Sequence, residues 1–344
     1  MSMSNSLSAT VSRNPLIEQD LNFRLRLDIG GANLRIEDKI IESNGQWYVS
    51  PESGLDMDFD IVKSWDKTPN KSTITIYNLN SETYNKINEE AEAFELYGAN
   101  SNDEFALMFR GYPDIQLKRA KKTLITSNEG FMKQDYRASF RGQNDIPTVL
   151  TLIDGKTNYQ DGTINKVYYG EVSCELIFND VIESMGLLRG NIAQDIEFKT
   201  IKNYSARGKS TEIMDYLANI NGFKWTVMNG LFEAYTGKAP EQAYGIILDG
   251  FNSSTPERQE DKFKIKSETL QKKNKKKGIE GKTKVTIEKI EKGYMIETRL
   301  IPFLNPGFFA YCNFDILQGV KFIYKVQHQG NNYGVNCSTK IWVV

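Results

Sequence analysis

From Leu21 to about Gly142 apolar and polar residues alternate with a period of two. Phe23, Leu25, Leu27 and Ile29 alternate with Arg24, Arg26 and Asp28, and Leu55, Met57, Phe59 and Ile61 alternate with Asp56, Asp58 and Asp60. Shorter runs follow at Ile74–Ile76, at Phe105, Leu107 and Phe109, and at Tyr136, Ala138 and Phe140. Successive side chains of a strand point to opposite faces, so these runs predict strands with one buried and one wet face. Sheets of that kind are antiparallel sandwiches or barrels. One helix interrupts them: Tyr84, Ile87, Ala91 and Phe94 fall at helical spacing behind an Asn80–Ser81 start. Residues 21–150 therefore read as a first β-barrel carrying one short helix.

Between 151 and 240 the pattern changes. A helix is predicted from about Ser173 to Met185, ended by Gly186. A second begins with Ser210 as N-cap and Glu212 in its first turn, places Ile213, Met214, Leu217 and Ile220 on one face, and closes at Asn221–Gly222. Phe223, Trp225 and Val227 then alternate, and Asn229–Gly230 is a type I′ hairpin signal leading into Leu231–Tyr235. This is a small α/β segment of helix-hairpin units, with Trp225 predicted to anchor its core. From 241 to 344 strands return. Val285, Ile287 and Ile290 lead to a turn at Glu291–Gly293, and Tyr294–Ile301 runs back. Val320, Phe322, Tyr324, Val326 and His328 are predicted to share one face, as are Val335, Cys337, Thr339, Ile341 and Val343 after the Gly330–Asn332 turn. The fold class is mainly β with an α/β insertion: two antiparallel β-barrels flanking a helix-hairpin segment.

Length supports that division, because 344 residues exceed what one core ordinarily serves. Residues 1–20, rich in Ser and Asn and lacking an apolar stretch, read as a flexible arm rather than a secretory signal. No run approaches about 18 consecutive apolar residues, so membrane insertion by a helix of this chain is not expected. Lys and Arg (43) balance Asp and Glu (44), which gives no reason to expect a nucleic-acid binder or a basic membrane-surface protein. Three cysteines, an odd number and widely spaced, give no pattern of a disulfide framework and point to a reducing cytoplasm as the place of folding.

Candidate chemistry is sparse. The single histidine, His328, excludes zinc sites needing two or more His ligands and leaves one place for a Ser-His-Asp or Cys-His pair. No nucleophile stands beside it in the sequence, and it reads as a structural residue. Arg207–Ser210 resembles the tail of a phosphate loop, but Asn203 stands where the first glycine belongs, so it reads as a helix start. Gly30–Gly31 is a β-turn rather than a dinucleotide loop. Cys174, near a helix start, reads as buried packing. Carboxylate pairs such as Glu89–Glu90 and the Asp56, Asp58, Asp60 run are numerous, and nothing selects one as a glycosidase dyad. Lys272, Lys273, Lys275, Lys276 and Lys277 form a cluster without interleaved aromatics, predicted to be a solvated loop spanning 271–278 that meets an acidic partner or passing DNA only secondarily. No catalytic, cofactor-binding or metal residue is assigned, and no cofactor is expected.

Three stretches taken in order carry a resemblance: Lys71–Leu79 followed by Ser81, Glu82 and Thr83; Gly208–Trp225 followed by Asn229–Gly230; and Leu304–Gly307 with Ile323–Gly330. Together they resemble the baseplate hub proteins of contractile phage tails and related injection systems. The resemblance implies a non-enzymatic homotrimer in the virion baseplate, assembled in the bacterial host cytoplasm. It implies that three chains with two barrels each form a pseudo-six-fold ring joining a six-fold tail tube, or a tube initiator, to a three-fold central spike. A channel would remain for the tape measure protein and DNA. The lysine-rich loop and the polar arm depart from the family pattern. The competing readings are a tail-associated peptidoglycan hydrolase and a carbohydrate- or receptor-binding tail protein, the latter suggested by 17 Tyr and 4 Trp.

Overall fold

The structure, a computed structural model, describes residues 23–38, 40–43, 46–49, 55–65, 67, 69–100, 103–114, 132–134, 145–155, 159–236, 245–250, 253–259, 264–270, 282–288, 293–332 and 337–344. The arm 1–20, the Tyr136–Phe140 run, Ile290, Val335 and the lysine cluster Lys272–Lys277 lie outside the described residues.

The first part of the chain contains β1 (Phe23–Gly30), β2 (Leu34–Glu37), β3 (Ile40–Ser43), β4 (Gln46–Val49), β5 (Met57–Ser64), β6 (Lys71–Tyr77), α1 (Ser81–Glu90), β7 (Ala93–Asn100), β8 (Ala106–Pro113), β9 (Met132–Gln134) and β10 (Pro147–Ile153). Seven of these form an antiparallel run in the order β5-β6-β10-β8-β7-β1-β2, β9 pairs with β10, and β3 and β4 form a separate hairpin. Alternation decides which face is buried: Leu25, Leu27, Ile29, Met57, Phe59, Ile61, Ile74 and Ile76 all enter one core. Gly31 at φ +82° and Asn33 at φ +50° make the β1–β2 turn. Helix α1 starts where expected, with the Asn80 side chain accepting from Thr83 N at 2.7 Å. It ends sooner, however. Ala91 is its C-cap and Phe94 belongs to β7, so helical spacing there coincided with a chain that had already extended. The alternation of Phe105, Leu107 and Phe109 fails as well. Leu96 pairs with Phe109 and Tyr97 with Leu107, which leaves Met108 as a bulge that turns both Met108 and Phe109 inward.

The second part contains β11 (Thr163–Ser173), α2 (Cys174–Ser184), β12 (Leu188–Ile192), β13 (Thr200–Lys209), α3 (Ser210–Asn221), β14 (Lys224–Met228) and β15 (Leu231–Tyr235). Ser173 caps α2 by accepting from Glu175 N at 3.1 Å. Ser210 is not the N-cap of α3. Lys209 holds that position without a side-chain bond, while Ser210 is buried with its hydroxyl 2.8 Å from that of Ser184. Gly222 ends α3 at φ +72°, and Asn229 and Gly230, both at positive φ, form the expected tight turn between β14 and β15. Two pairings had no sequence signal. Strand β12 runs parallel to β15, and β11 pairs with β13 as a two-stranded ribbon whose residues are mostly exposed. Trp225 lies in the core among Leu217, Met214 and Phe178, stacked on Phe232 at 5.3 Å, with its indole N–H donating to Asp215 at 2.8 Å.

The third part contains β16 (Gly245–Asp249), β17 (Glu257–Gln259), β18 (Lys264–Leu270), β19 (Lys282–Glu288), β20 (Gly293–Arg299), β21 (Phe309–Phe314), β22 (Leu317–Asn331) and β23 (Ser338–Val343). Strand β19 pairs with β18 rather than running back along β20, which instead joins β23 and β17. The single face expected for β22 is also corrected. Val320 and Phe322 lie on the outer side while Val326 and His328 are buried, because an extra residue at Tyr324 shifts the register against β23 and reverses the alternation.

The largest departure concerns the two barrels. Strand β22 pairs with β5 from Lys325–Ser64 to Asn331–Asp58, so the first and third parts share one 14-stranded sheet running from β17 to β2. The described strands do not close into two separate barrels. With 15 residues, β22 spans roughly 50 Å, enough to serve both parts. Trp225→Ala should lower the unfolding free energy by about 3–5 kcal/mol in urea titrations, since it empties a fully packed site. A change below about 1 kcal/mol would contradict the anchoring role.

Candidate functional site

The three parts meet at a buried polar junction built on the ends of β5, β10, β15 and β22. Lys63 on β5 has no exposed surface; its ammonium nitrogen donates to Met108 O at 2.6 Å and contacts the Asn305 side-chain oxygen. Asp154, just after β10, is also fully buried. Its oxygens accept from Gly230 N at 2.7 Å and from Asn70 Nδ2 at 3.3 Å, so it pins the β14–β15 turn to the first part. Asn70 in turn accepts from the Ser64 amide and hydroxyl at 2.8 and 2.9 Å. His328 on β22 is buried with Nε2 3.1 Å from Leu304 O and Nδ1 3.0 Å from Thr339 Oγ1. A carbonyl oxygen can only accept, so Nε2 carries the proton. The Thr339 hydroxyl, which accepts from Ile301 N at 2.9 Å, then donates to Nδ1.

Burial governs the charges here. It lowers Lys63 to about 7, against the opposing pull of Asp154 and Glu233. It raises Asp154 to about 6, although the amide of Gly230 and the side chain of Asn70 oppose the shift. Glu233 on β15 rises to about 7 through burial and then the neighbouring Asp154. Burial and then Lys63 push His328 well below the ordinary histidine value, in keeping with the neutral ring its bonds require. A second polar knot ties the first and third parts together. Asn332 accepts from Met57 N and donates to Asp38, both at 2.8 Å, while Asp38 accepts from Leu25 N at 2.8 Å and is raised to about 6 by burial.

An aromatic cluster closes the junction from outside. The Trp65 ring lies edge-on to Tyr235 at 4.6 Å and near Phe322 at 6.1 Å, and Tyr235 stacks on Phe322 at 5.6 Å, so one ring comes from each part. From Phe309 and Phe322 the outer face of the β21–β22 hairpin continues to a cross-strand row of Ile247, Tyr311 and Val320. Tyr311 and Val320 are half or more exposed, as is Ile316 at the hairpin tip. The ribbon of β11 and β13 shows a second exposed apolar group, Val167 and Tyr169, the latter 85% exposed.

The sequence candidates are scattered. Arg207, Gly208 and Lys209 lie in the extended strand β13, paired with β11, so their amides alternate in direction along the strand instead of converging in a phosphate cradle. Cys174 is buried at the start of α2, and Asp56, Asp58 and Asp60 project from the wetter side of the β5 region. His328 is where a structural residue belongs, with both ring nitrogens engaged. The junction itself was missed, because Lys63, Asp154, Glu233 and Asn305 stand far apart in sequence. The only available signal was Lys63 on an inward parity of β5, where an apolar residue would be expected.

No protein-family model and no curated protein matches the chain. Solved structures do. The 43 kDa tail protein of prophage MuSo2 from Shewanella oneidensis is similar over 94% of this chain and 98% of its own, with a TM-score of 0.55 at 11% identity. The tail protein from Neisseria meningitidis MC58 is similar over 94% of this chain and 96% of its own, with a TM-score of 0.54 at 8% identity. The likeness is one of fold and extends through all three parts.

The raised carboxyls fix a pH dependence. Asp38 and Asp154 keep their protons to about pH 6 when folded but release them near the ordinary 3.8 when unfolded. Between those values the folded state binds more protons, so their contribution to stability is present at low pH and falls as pH rises through the window. Urea midpoints measured from pH 4 to 6.5 should change by different amounts in the wild type and in the Asp38→Asn, Asp154→Asn double variant, the wild type falling further with rising pH, because Glu233 and His328 titrate in both. Equal slopes would contradict it.

Proposed function

We propose that this chain is the structural hub of a phage-type tail baseplate, acting without catalysis. Three copies would form a ring in which each contributes two β-units, residues 21–150 and 241–344, with the α/β segment 151–240 on one side. Three copies of two similar units offer six related surfaces to a six-fold tail tube or its initiator, while the ring keeps three-fold symmetry for a central spike. The opening along the axis would pass the tape measure protein and DNA. Assembly would take place in the bacterial host cytoplasm, and the mature location would be the virion tail.

The observation that carries this reading is the fold shared with two phage tail proteins over 94% of the chain. The β5–β22 ladder supports it, since it sets the two β-units side by side in one sheet, as neighbours in a ring must be. The cross-strand row of partly buried Ile247 with exposed Tyr311 and Val320 would supply an apolar face for the neighbouring copy, continuous with the packed aromatic cluster.

Native mass measurement of the chain, alone and with its spike, tests the proposal. Three copies are expected, and a chain that stays monomeric or dimeric with the spike present overturns it. The double variant Tyr311→Glu, Val320→Lys should reduce trimer formation at least tenfold while changing the monomer's unfolding free energy by no more than about 0.5 kcal/mol, because both positions are exposed. Undiminished assembly would remove this face from the ring.

A further inference from the structure

Lys63 has two direct acceptors, the Met108 carbonyl and the Asn305 carboxamide, and both are neutral. Among the described residues no carboxylate lies within ion-pair distance of its nitrogen, and burial favours the uncharged amine. A free primary amine is a nucleophile, and here it rests against a side-chain carboxamide that could serve as its acyl donor. Asn305 is held on both flanks. Leu304 N donates to Ile301 O at 3.1 Å, Leu304 O meets His328, and Gly307 N donates to Ile323 O at 2.8 Å. These bonds hold the backbone on either side of Asn305, and its carboxamide reaches between the Lys63 amine and the Phe303 carbonyl. Its nitrogen donates to the carbonyl of the exposed residue Phe303 at 3.2 Å, so the group that would leave lies on the solvent side while the amine lies on the dry side.

Such a step needs an acid. Glu233 is partly buried, acts electrostatically on Lys63, and has no hydrogen-bond or ion-pair partner among the described residues. Asp154 is committed to Gly230 and Asn70.

We propose that Lys63 and Asn305 join through an isopeptide bond, formed by the folded chain on itself with Glu233 as proton carrier. Lys63 Nζ attacks Asn305 Cγ, and the protonated Glu233 carboxyl supplies a proton to the carboxamide. The amine proton released on attack returns to Glu233. The Cγ–Nδ2 bond breaks, and the nitrogen departs as ammonia with the two hydrogens it held and the one transferred. A primary amine and a primary amide become a secondary amide and ammonia, with no change of oxidation state and no cofactor. The bond would staple β5 to the loop before β21, across the boundary that the β5–β22 ladder already spans. It is independent of the hub reading.

The test is the intact mass of the purified full-length chain, denatured after incubation folded at neutral pH, followed by tandem mass spectrometry of its digest. The expected result is a mass lower by one ammonia and a branched peptide linking Lys63 to Asn305. An unshifted mass after prolonged incubation overturns the proposal. So does an ammonia loss that maps to a succinimide elsewhere. Glu233→Gln, checked for native circular dichroism, should remain unlinked, and linking at the wild-type rate would overturn the role given to Glu233. Because the wild-type measurement decides the bond itself, a variant that fails to fold does not blunt the test.

Discussion

Every β-strand has two edges whose amides and carbonyls must be paired, covered or left in water, and in this molecule that requirement falls hardest on β22. One of its edges belongs to β23. The other is divided: β21 and its leading residues pair up to Ile323, and β5 takes over from Tyr324, where Trp65 N donates at 2.7 Å. The changeover is possible because the extra residue at Tyr324 turns two successive residues toward the same edge. It also needs room. Gly307 sits at φ +93° with the Trp65 ring against it, and a Cβ there would come within 2.3 Å of the indole. The join of the two sheets, the bulge and the tryptophan lid are therefore one solution to one constraint.

The buried polar side chains follow from the same geometry. Bringing β5, β10, β15 and β22 together leaves strand ends and turns whose amides and carbonyls are cut off from water. Met108 O, the Gly230 amide and Leu304 O are satisfied by Lys63, Asp154 and His328. An apolar set could fill the same volume, but it would leave these backbone groups unpaired, at a cost comparable to losing a hydrogen bond each. A docking that separated these pairs would leave the same buried groups without partners. The polar junction in this way favours one arrangement over its competitors.

The local structure was legible wherever a residue's surroundings follow from its near neighbours. The alternation in β1 and β5, the Asn80 cap, the Gly222 stop and the Asn229–Gly230 turn depend on a few adjacent residues, and each appears as read. What failed depended on distant partners. The β11–β13 ribbon buries only Ile164, Tyr168 and Ala206 and leaves most of its other residues exposed, Val167 and Tyr169 among them, so Thr163–Ser173 carries no regular apolar period to detect. Bulges at Met108 and Tyr324 reverse parity without leaving a mark in composition. The pairing of β22 with β5 joins residues more than 260 positions apart, as in the bond between Gln327 and Asp60. Separate barrels were the natural expectation from two separated sets of strand patterns, and no local signal contradicts it. The junction was hidden for the same reason, since its members become neighbours only once that ladder exists.

The β5–β22 ladder also sets how the molecule bears force. Its hydrogen bonds lie across the strands, in seven partner pairs from Lys325–Ser64 to Asn331–Asp58. Tension drawn along the strands would load all of these bonds together, as shear, and none could break without straining the rest. Tension drawn across them would open the ladder from one end, a pair at a time, starting at either the Trp65 lid or the Asn332 knot. The same seam is thus stiff in one direction and peelable in the other, and the mechanical strength of the joined sheets depends on which way the chain is pulled.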